Sequence, residues 1–196
     1  MNLPLFPLNT VLFPGCVLDL QIFEARYLDM LSRCLRQGHG FGVVTLLEGH
    51  EVGEAPSRFS GLGCEALIRD WQQRPNGLLG LRVQGGRRLR IARTEVQRDQ
   101  SILAEVEWLP ECPDSPVGSA DADLLALLGA LAEHPMVAAL DMGGQVDTQA
   151  ALAHRLAYLL PFEPEQKLEL LGLDAPEVAL ARVQSLLERL QGDSLG

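Results

Sequence analysis

Residues 64–84 read Cys64-Glu65-Ala66-Leu67-Ile68-Arg69-Asp70-Trp71-Gln72-Gln73-Arg74-Pro75-Asn76-Gly77-Leu78-Leu79-Gly80-Leu81-Arg82-Val83-Gln84. An Asn-Gly pair between two strand-like runs is the strongest short-range hairpin signal. The stretch predicts a hairpin joining 64–73 to 78–84 through Arg74-Pro75-Asn76-Gly77. Just beyond it, Gly85-Gly86 interrupts the extended pattern and predicts a bulge or sharp bend. Leu89 and Ile91 then alternate with arginines, and Ile102, Ala104, Val106 and Trp108 form one face of a last strand. Toward the N-terminus, the apolar run 41–47 suits a buried strand. Leu18, Leu20 and Ile22 alternate with Asp19 and Gln21, as on a half-buried strand. Between those two lies a helical pattern over 24–37, with Tyr27, Leu28, Leu31 and Leu35 at three- and four-residue spacing and Gly38 as its stop. Strands at this spacing with one inserted helix predict a small, partly closed barrel.

The pattern changes near residue 110. Residues 1–110 hold twelve arginines and twelve acidic residues, whereas 111–196 hold four basic and fourteen acidic ones, so the whole net charge of −10 lies in the second part. The proline-rich run 109–119 reads as a connector. The expected organisation is therefore a barrel subdomain over 1–110, a connector over 111–119 and an acidic helical subdomain over 120–196. Ser119 or Asp121 can cap a helix bearing Leu124, Leu127, Leu128 and Leu131, with Pro135 just beyond its end. Asp147 or Thr148 can cap another with Leu152, Leu156 and Leu159, stopped by Pro161. Pro164 begins a short third helix through Leu171. Asp174 caps a fourth that displays Val178, Val183, Leu186 and Leu190. These apolar faces have to pack on each other or on the barrel.

The 196 residues are 47% hydrophobic, enough to bury a sizeable core and unlike a disordered chain. Net negative charge disfavours a general nucleic-acid binder. Residues 1–18 carry no charge, nearly the length of a membrane span. Pro4, Pro7 and Pro14 would break a helix there, so strands and turns are expected and no membrane association. No basic segment of a secretory signal is present at the N-terminus. Cys16, Cys34, Cys64 and Cys112 form no CxxC pair, which fits a cytoplasmic protein with reduced thiols, although the even number leaves a disulfide open.

The sequence lacks a phosphate-binding Gly-x-x-x-x-Gly-Lys-Ser/Thr loop and a Gly-x-Ser-x-Gly nucleophile elbow. Lys167, the one lysine, sits in a Glu- and Leu-rich helical stretch, a poor setting for a Ser–Lys dyad. His50-Glu51-Val52-Gly53-Glu54 begins like a zinc-protease motif but ends in Glu, and Gly53 argues against a helix; it reads as a solvated loop. Gly61-Leu62-Gly63 leads into a strand rather than a helix, so it reads as turn or bulge glycines and not a dinucleotide loop. His39, His50, His134 and His154 have no partners at ligand spacing. No metal, cofactor or catalytic residue is expected.

Two features remain. Phe23-Glu24-Ala25-Arg26-Tyr27 spans a strand-to-helix junction. Glu24 suits the positive helix N-terminus, Arg26 can pair with a carboxylate, and Tyr27 can bury its ring. This cluster either locks the helix to the barrel or floors a polar groove. The second feature is the run of Arg82, Arg87, Arg88, Arg90 and Arg93. It is a solvated strand face, a set of ion pairs with the acidic helical part, or a surface for phosphates or acidic peptides; no local aromatic residue supports base stacking.

The motifs Leu3-Pro4-Leu5-Phe6-Pro7-Leu8, Val11-Leu12-Phe13-Pro14-Gly15 and Ile22-Phe23-Glu24-Ala25-Arg26-Tyr27 closely resemble the opening of the LON N-terminal (substrate-binding) domain. The resemblance continues through Phe41-Gly42-Val43-Val44, Gly63, Asn76-Gly77, Gly86-Arg87-Arg88-Leu89-Arg90-Ile91, Leu160-Pro161 and Gln166-Lys167-Leu168-Glu169-Leu170-Leu171, which is almost the whole chain. It implies an α+β fold: a PUA-like, partly closed β-barrel with one inserted helix, followed by an α-helical bundle. In the ATP-dependent Lon proteases this domain precedes a long helix, an AAA+ motor and a Ser–Lys protease domain. The chain therefore resembles a stand-alone LON-domain protein. Pro7, Pro14, Gly15, Phe23, Glu24, Arg26, Tyr27, Gly77, Gly86 and Arg88 match as framework or groove residues, with Arg82, Arg87, Arg90 and Arg93 as a basic surface. The resemblance supplies no catalytic residue. The function it implies is non-catalytic binding of unfolded or degradation-signal polypeptides, or of a partner protein, by strand addition or apolar pockets in a groove between barrel and helices. The alternatives are a nucleic-acid-binding protein using the arginine strand and a small-molecule-binding protein or hydrolase.

Overall fold

The computed structural model describes residues 1–51, 53–56, 58–113, 115–142 and 145–193. Val52, within the motif-like loop, and Asp114, within the proline-rich run, lie outside the described residues. The chain forms two compact units, Met1–Leu109 and Pro110–Gly196.

The first unit is a six-stranded sheet with one helix. In chain order it contains β1 (Asn2–Leu8), β2 (Val17–Ile22), α1 (Ala25–Gln37), β3 (Phe41–Glu48), β4 (Arg58–Gln73), β5 (Leu79–Val96) and β6 (Ile102–Trp108). The spatial order is β2-β5-β4-β3-β1-β6, and β5 pairs with β6 as well, so five strands close a ring and β2 hangs from its side. The mixed α+β class and the partly closed sheet expected from the sequence are both present.

The predicted hairpin is the spine of this unit. Arg74 N–H bonds Leu78 O and Gly77 N–H bonds Arg74 O, and Gly77 has φ of 80°. This is a three-residue loop whose last position needs the left-handed backbone that glycine adopts without strain. The long strand β5 then changes partner. Residues 79–84 pair with β2, and 89–96 pair with β6. Gly85 sits at the switch, where its N–H bonds Cys16 O and its carbonyl accepts from Gly15 N–H, each at 2.8 Å. A Cβ there would lie 2.0 Å from Phe13 O, so a side chain cannot fit. Opposite, the β4 register slips between Cys64 and Ala66, the bulge that Gly85-Gly86 predicts. Gly61-Leu62-Gly63 also lies inside β4, next to a second register shift against β3.

β1 tolerates two prolines because it is flanked on one side only where they occur. Pro4 pairs with Leu103 of β6 before the β3 ladder begins, and Pro7 pairs with Val44 of β3 after the β6 ladder ends. Inside the ring, Leu3, Leu5, Val44, Leu89, Ile102, Ala104 and Val106 form a closed apolar cluster with Trp108 packed at its margin.

Helix α1 ends at Gly38 as predicted, but it buries a different face. Arg26, Tyr27, Met30, Leu31 and Cys34 are inside, whereas Leu28 and Leu35 are exposed. An arginine therefore occupies a position that leucine periodicity assigned to solvent.

The second unit contains a 3-10 turn (Ser119–Asp121) and α2 (Ala122–Ala132), α3 (Pro135–Ala138), α4 (Gln149–Leu159), α5 (Pro164–Leu171) and α6 (Pro176–Asp193). Its buried side chains include Leu124, Leu128, Leu152, Leu156, Leu170, Leu171, Leu180, Val183 and Leu186. Thr148 caps α4 by accepting Ala151 N–H at 3.3 Å. Buried Asp121 accepts from Gly118 N–H at 2.8 Å and from Gln149 Nε2 at 3.1 Å, tying the turn to the start of α4. α2 ends at Ala132, so Pro135 lies just beyond it as expected; it also starts a short helix, where His134 Nδ1 accepts Met136 N–H as an N-cap. Val178 is exposed, so the buried α6 stripe runs through Ala179, Leu180, Val183 and Leu186, the last two as expected. The run read as a connector is anchored: Pro116 bridges Thr148, Val117 N–H bonds Asp147 O, and Gln149 N–H bonds Ser115 O.

Candidate functional site

The junction between β2 and α1 gathers the first group of predicted residues. Glu24 is the N-cap position of α1 with extended backbone, and its side chain makes no capping bond. Its carboxylate instead lies 3.2 Å from Arg26 Nε and accepts from Gly53 N–H at 3.4 Å. Arg26 is 6% exposed. Its Nη1 donates to Gln100 O at 2.9 Å, on the tip of the β5–β6 hairpin, where Gln100 has φ of 66°. The contact to Glu24 lacks hydrogen-bond alignment, so Nε and Nη2 are buried without an acceptor. The guanidinium carbon is 4.6 Å from the Tyr27 ring centroid, a cation–π contact that recovers part of that cost.

Tyr27 is itself buried, with its ring 4.1 Å from that of Phe6. Burial raises its phenol from the ordinary 10 to about 12. Beside it Phe23 is 55% exposed. A hollow of about 160 Å³ opens here, lined by Phe6, Leu8, Leu20, Phe23 and Tyr27, with Asp19, Glu24 and Glu51 as its charged groups. Glu51 is held by Asn9 N–H, which donates to its Oε1 at 2.6 Å. Small-molecule sites run from roughly 300 Å³ upward, so this hollow suits one side chain rather than a cofactor.

The arginine strand is built differently. Arg82 makes a bidentate pair with Asp19, both contacts at 2.8 Å, and these bonds hold the Asp19 carboxyl below its ordinary 3.8. Arg87 Nε lies 3.2 Å from Glu65 Oε2, and its guanidinium covers the Trp108 ring at 3.7 Å. Arg88 is 3% exposed and faces inward. Arg90 and Arg93 stand opposite Glu107 and Glu105 in the β5–β6 register. The carboxylates facing this strand therefore come from β2, β4 and β6 of its own unit. The run also has an aromatic neighbour after all, in Trp108, occupied by Arg87.

The other framework residues are spread through the first unit. Pro7 is buried in β1, and Pro14 and Gly15 form the turn that meets Gly85. Gly77 closes the hairpin, and Gly86 lies against Glu65, whose Oε2 would be 3.0 Å from an added Cβ. Sequence reasoning missed Phe6, Leu8, Glu51 and Gln100 as members of the junction. They come from three distant stretches, and only the ring closure and the hairpin tip bring them to Phe23–Tyr27.

Elsewhere, Lys167 Nζ donates to Tyr158 O at 2.8 Å. No cluster of three or more His, Cys, Asp or Glu side chains suited to a metal occurs among the described residues. Among them, too, no helix is long and apolar enough to cross a membrane.

Three similarities bear on this architecture. The family model of the ATP-dependent protease La (LON) substrate-binding domain matches residues 2–189. A crystal structure of a Lon N-terminal domain protein from Xanthomonas campestris superposes with a TM-score of 0.77 at 33% identity, covering 94% of this chain and 98% of that one. The N-terminal domain of a Mycobacterium avium complex Lon protease has the same fold, with a TM-score of 0.62 at 19% identity over 96% and 97% of the two chains. The ring with its side strand, the inserted helix and the helical unit thus have a family: the chain belongs to the LON substrate-binding domain family.

Proposed function

We propose that this chain is a non-catalytic binding module for unfolded or degradation-signal polypeptides, and that the β2–α1 junction is its contact surface. The observation that carries this reading is the family match over residues 2–189, which is to a substrate-binding domain rather than to a motor or protease domain. The junction supports it with an exposed phenylalanine over an apolar hollow sized for a side chain. Large exposed aromatics beside a concavity are typical anchors of protein recognition. On this reading residues 1–110 act as a PUA-like barrel subdomain and 120–196 as an acidic helical subdomain. The surplus acid of the second unit would steer basic or weakly charged clients toward the protein. All four cysteines are free thiols, which supports a reducing compartment such as the cytoplasm. The balanced charges of the arginine strand support polypeptide over nucleic acid as the partner.

The test is fluorescence anisotropy with two labelled probes, a permanently unfolded polypeptide and a single-stranded RNA, each at low and moderate salt. Saturable polypeptide binding with no RNA binding is expected. Salt-sensitive RNA binding alone would overturn the proposal and move attention to β5.

A further inference from the structure

The strand order makes β2 an end strand. One edge is hydrogen-bonded to β5, and among the described residues no hydrogen bond reaches the other edge over 18–22. The bond from Gly85 N–H to Cys16 O sets the antiparallel alternation. Continued along the register, it points Leu18, Leu20 and Ile22 backbone groups toward β5 and those of Asp19 and Gln21 away. Natural sheets blunt such edges with lysine, proline, bulges or a covering element. β2 has no lysine, proline or register shift, and a hollow lies along its open side.

We infer that this open edge takes up a client segment as an added β-strand, and that the favoured segment alternates apolar and basic residues. The inference rests on the polypeptide-binding reading above and gives it a location and a chemistry. β2 itself alternates, with Leu18, Leu20 and Ile22 on one face and exposed Asp19 and Gln21 on the other. An added strand sets its side chains beside those of its neighbour, so apolar residues fall next to the leucines and basic ones next to Asp19. The hollow extends the same match: Phe6, Leu8, Phe23 and Tyr27 supply its apolar wall, and of its three carboxylates Asp19 and Glu24 are held by Arg82 and Arg26 while Glu51 accepts from Asn9 N–H. Glu51 and the protein's net charge of −10 favour a basic segment over an acidic one.

The probe is a fluorescein-labelled decapeptide alternating leucine and lysine, with two versions N-methylated at odd or at even positions. Only alternate amides of an added strand face its neighbour. One methylated version is therefore expected to lose at least tenfold in affinity and the other to bind nearly as well as the parent. Exchanging every lysine for glutamate is expected to abolish binding. On the protein side, Gln21→Pro removes an outward N–H while sparing the ladder to β5, and is expected to weaken binding by at least tenfold with an unchanged urea midpoint. The methylated pair needs no altered protein, so it decides the question even if Gln21→Pro unfolds. Equal binding of both methylated peptides, with the parent still bound, would overturn strand addition and leave the broader reading standing. Equal binding of the glutamate peptide would overturn the charge selection. No binding of any of these peptides or of an unfolded polypeptide would overturn both readings together.

Discussion

Two polar regions of the first unit carry arginines, and they are resolved in opposite ways. On β5 four of the five arginines stand beside an acidic residue. Arg82 grips Asp19, Arg87 meets Glu65 and Trp108, and Arg90 and Arg93 stand opposite glutamates of β6. At the β2–α1 junction Arg26 is buried with two nitrogens lacking acceptors, next to an exposed phenylalanine and an open sheet edge. A balanced charged face is complete as it stands. The junction instead keeps two buried Arg26 nitrogens without acceptors, and its exposed Phe23 beside the hollow is the feature the proposed binding role uses.

The comparison can be broken at its most loaded residue. Arg26→Met removes the tie from α1 to the β5–β6 hairpin tip and strands the Glu24 carboxylate, and should cost about 2–4 kcal/mol by urea unfolding. If the midpoint does not move, the junction is not held by Arg26. Arg87→Met should cost less, about 1–2 kcal/mol: the Arg87 side chain is half-exposed, but the Glu65 carboxylate it leaves behind is buried.

Phe23→Ser separates binding from folding. The side chain is mostly in solvent, so stability should stay within about 0.5 kcal/mol. Affinity for an unfolded polypeptide should fall at least about tenfold, the weight of a truncated interface anchor. Unaltered affinity in anisotropy titrations would detach the hollow from function.

Alkaline titration gives a smaller effect with a fixed sign. In the fold Tyr27 keeps its proton up to about pH 12, while in the unfolded chain it ionises near 10. Between those values the unfolded state holds fewer protons, so stability falls as pH rises through the window. Burial raises Cys34 likewise, from 9 to about 11, which starts the decline earlier. Tyr27→Phe should flatten the part of the unfolding-midpoint curve above pH 10. At the other end, the lowered carboxyl of Asp19 contributes stability above its ordinary value of 3.8 that is lost as pH falls below it. That contribution is the smallest of these effects, because the pair is largely solvated.

Much of the fold was legible because its signals are local. The Asn76-Gly77 turn, the Gly38 stop, the Thr148 cap and the bulge at Gly85-Gly86 each depend on residues within a few positions. The α1 face was not, because leucine spacing says nothing about an arginine drawn inward by a carbonyl 74 residues away. Val178 misled for a similar reason: a helix stripe is fixed by the neighbouring helices, and Ala179 and Leu180 took the inner side. At the candidate site, Phe23 through Tyr27 were legible as a motif, but Phe6, Leu8 and Glu51 were not. They reach the hollow through the placement of β1 and the loop holding Glu51, a long-range arrangement without a short motif. The surroundings of the arginine strand stayed open between a solvated face, pairing with the helical part and a binding surface, because charge counts carry no register. Once β4 and β6 flank β5, Glu65, Glu105 and Glu107 lie beside it in the sheet.

The most direct measurement is amide hydrogen exchange of the protein with and without a saturating unfolded polypeptide, read segment by segment. Binding at the junction predicts added protection of residues 18–24 and the first turn of α1, with β5 from 87 to 93 unchanged. Protection confined to the arginine strand, or saturable binding that leaves 18–24 unprotected, would contradict it.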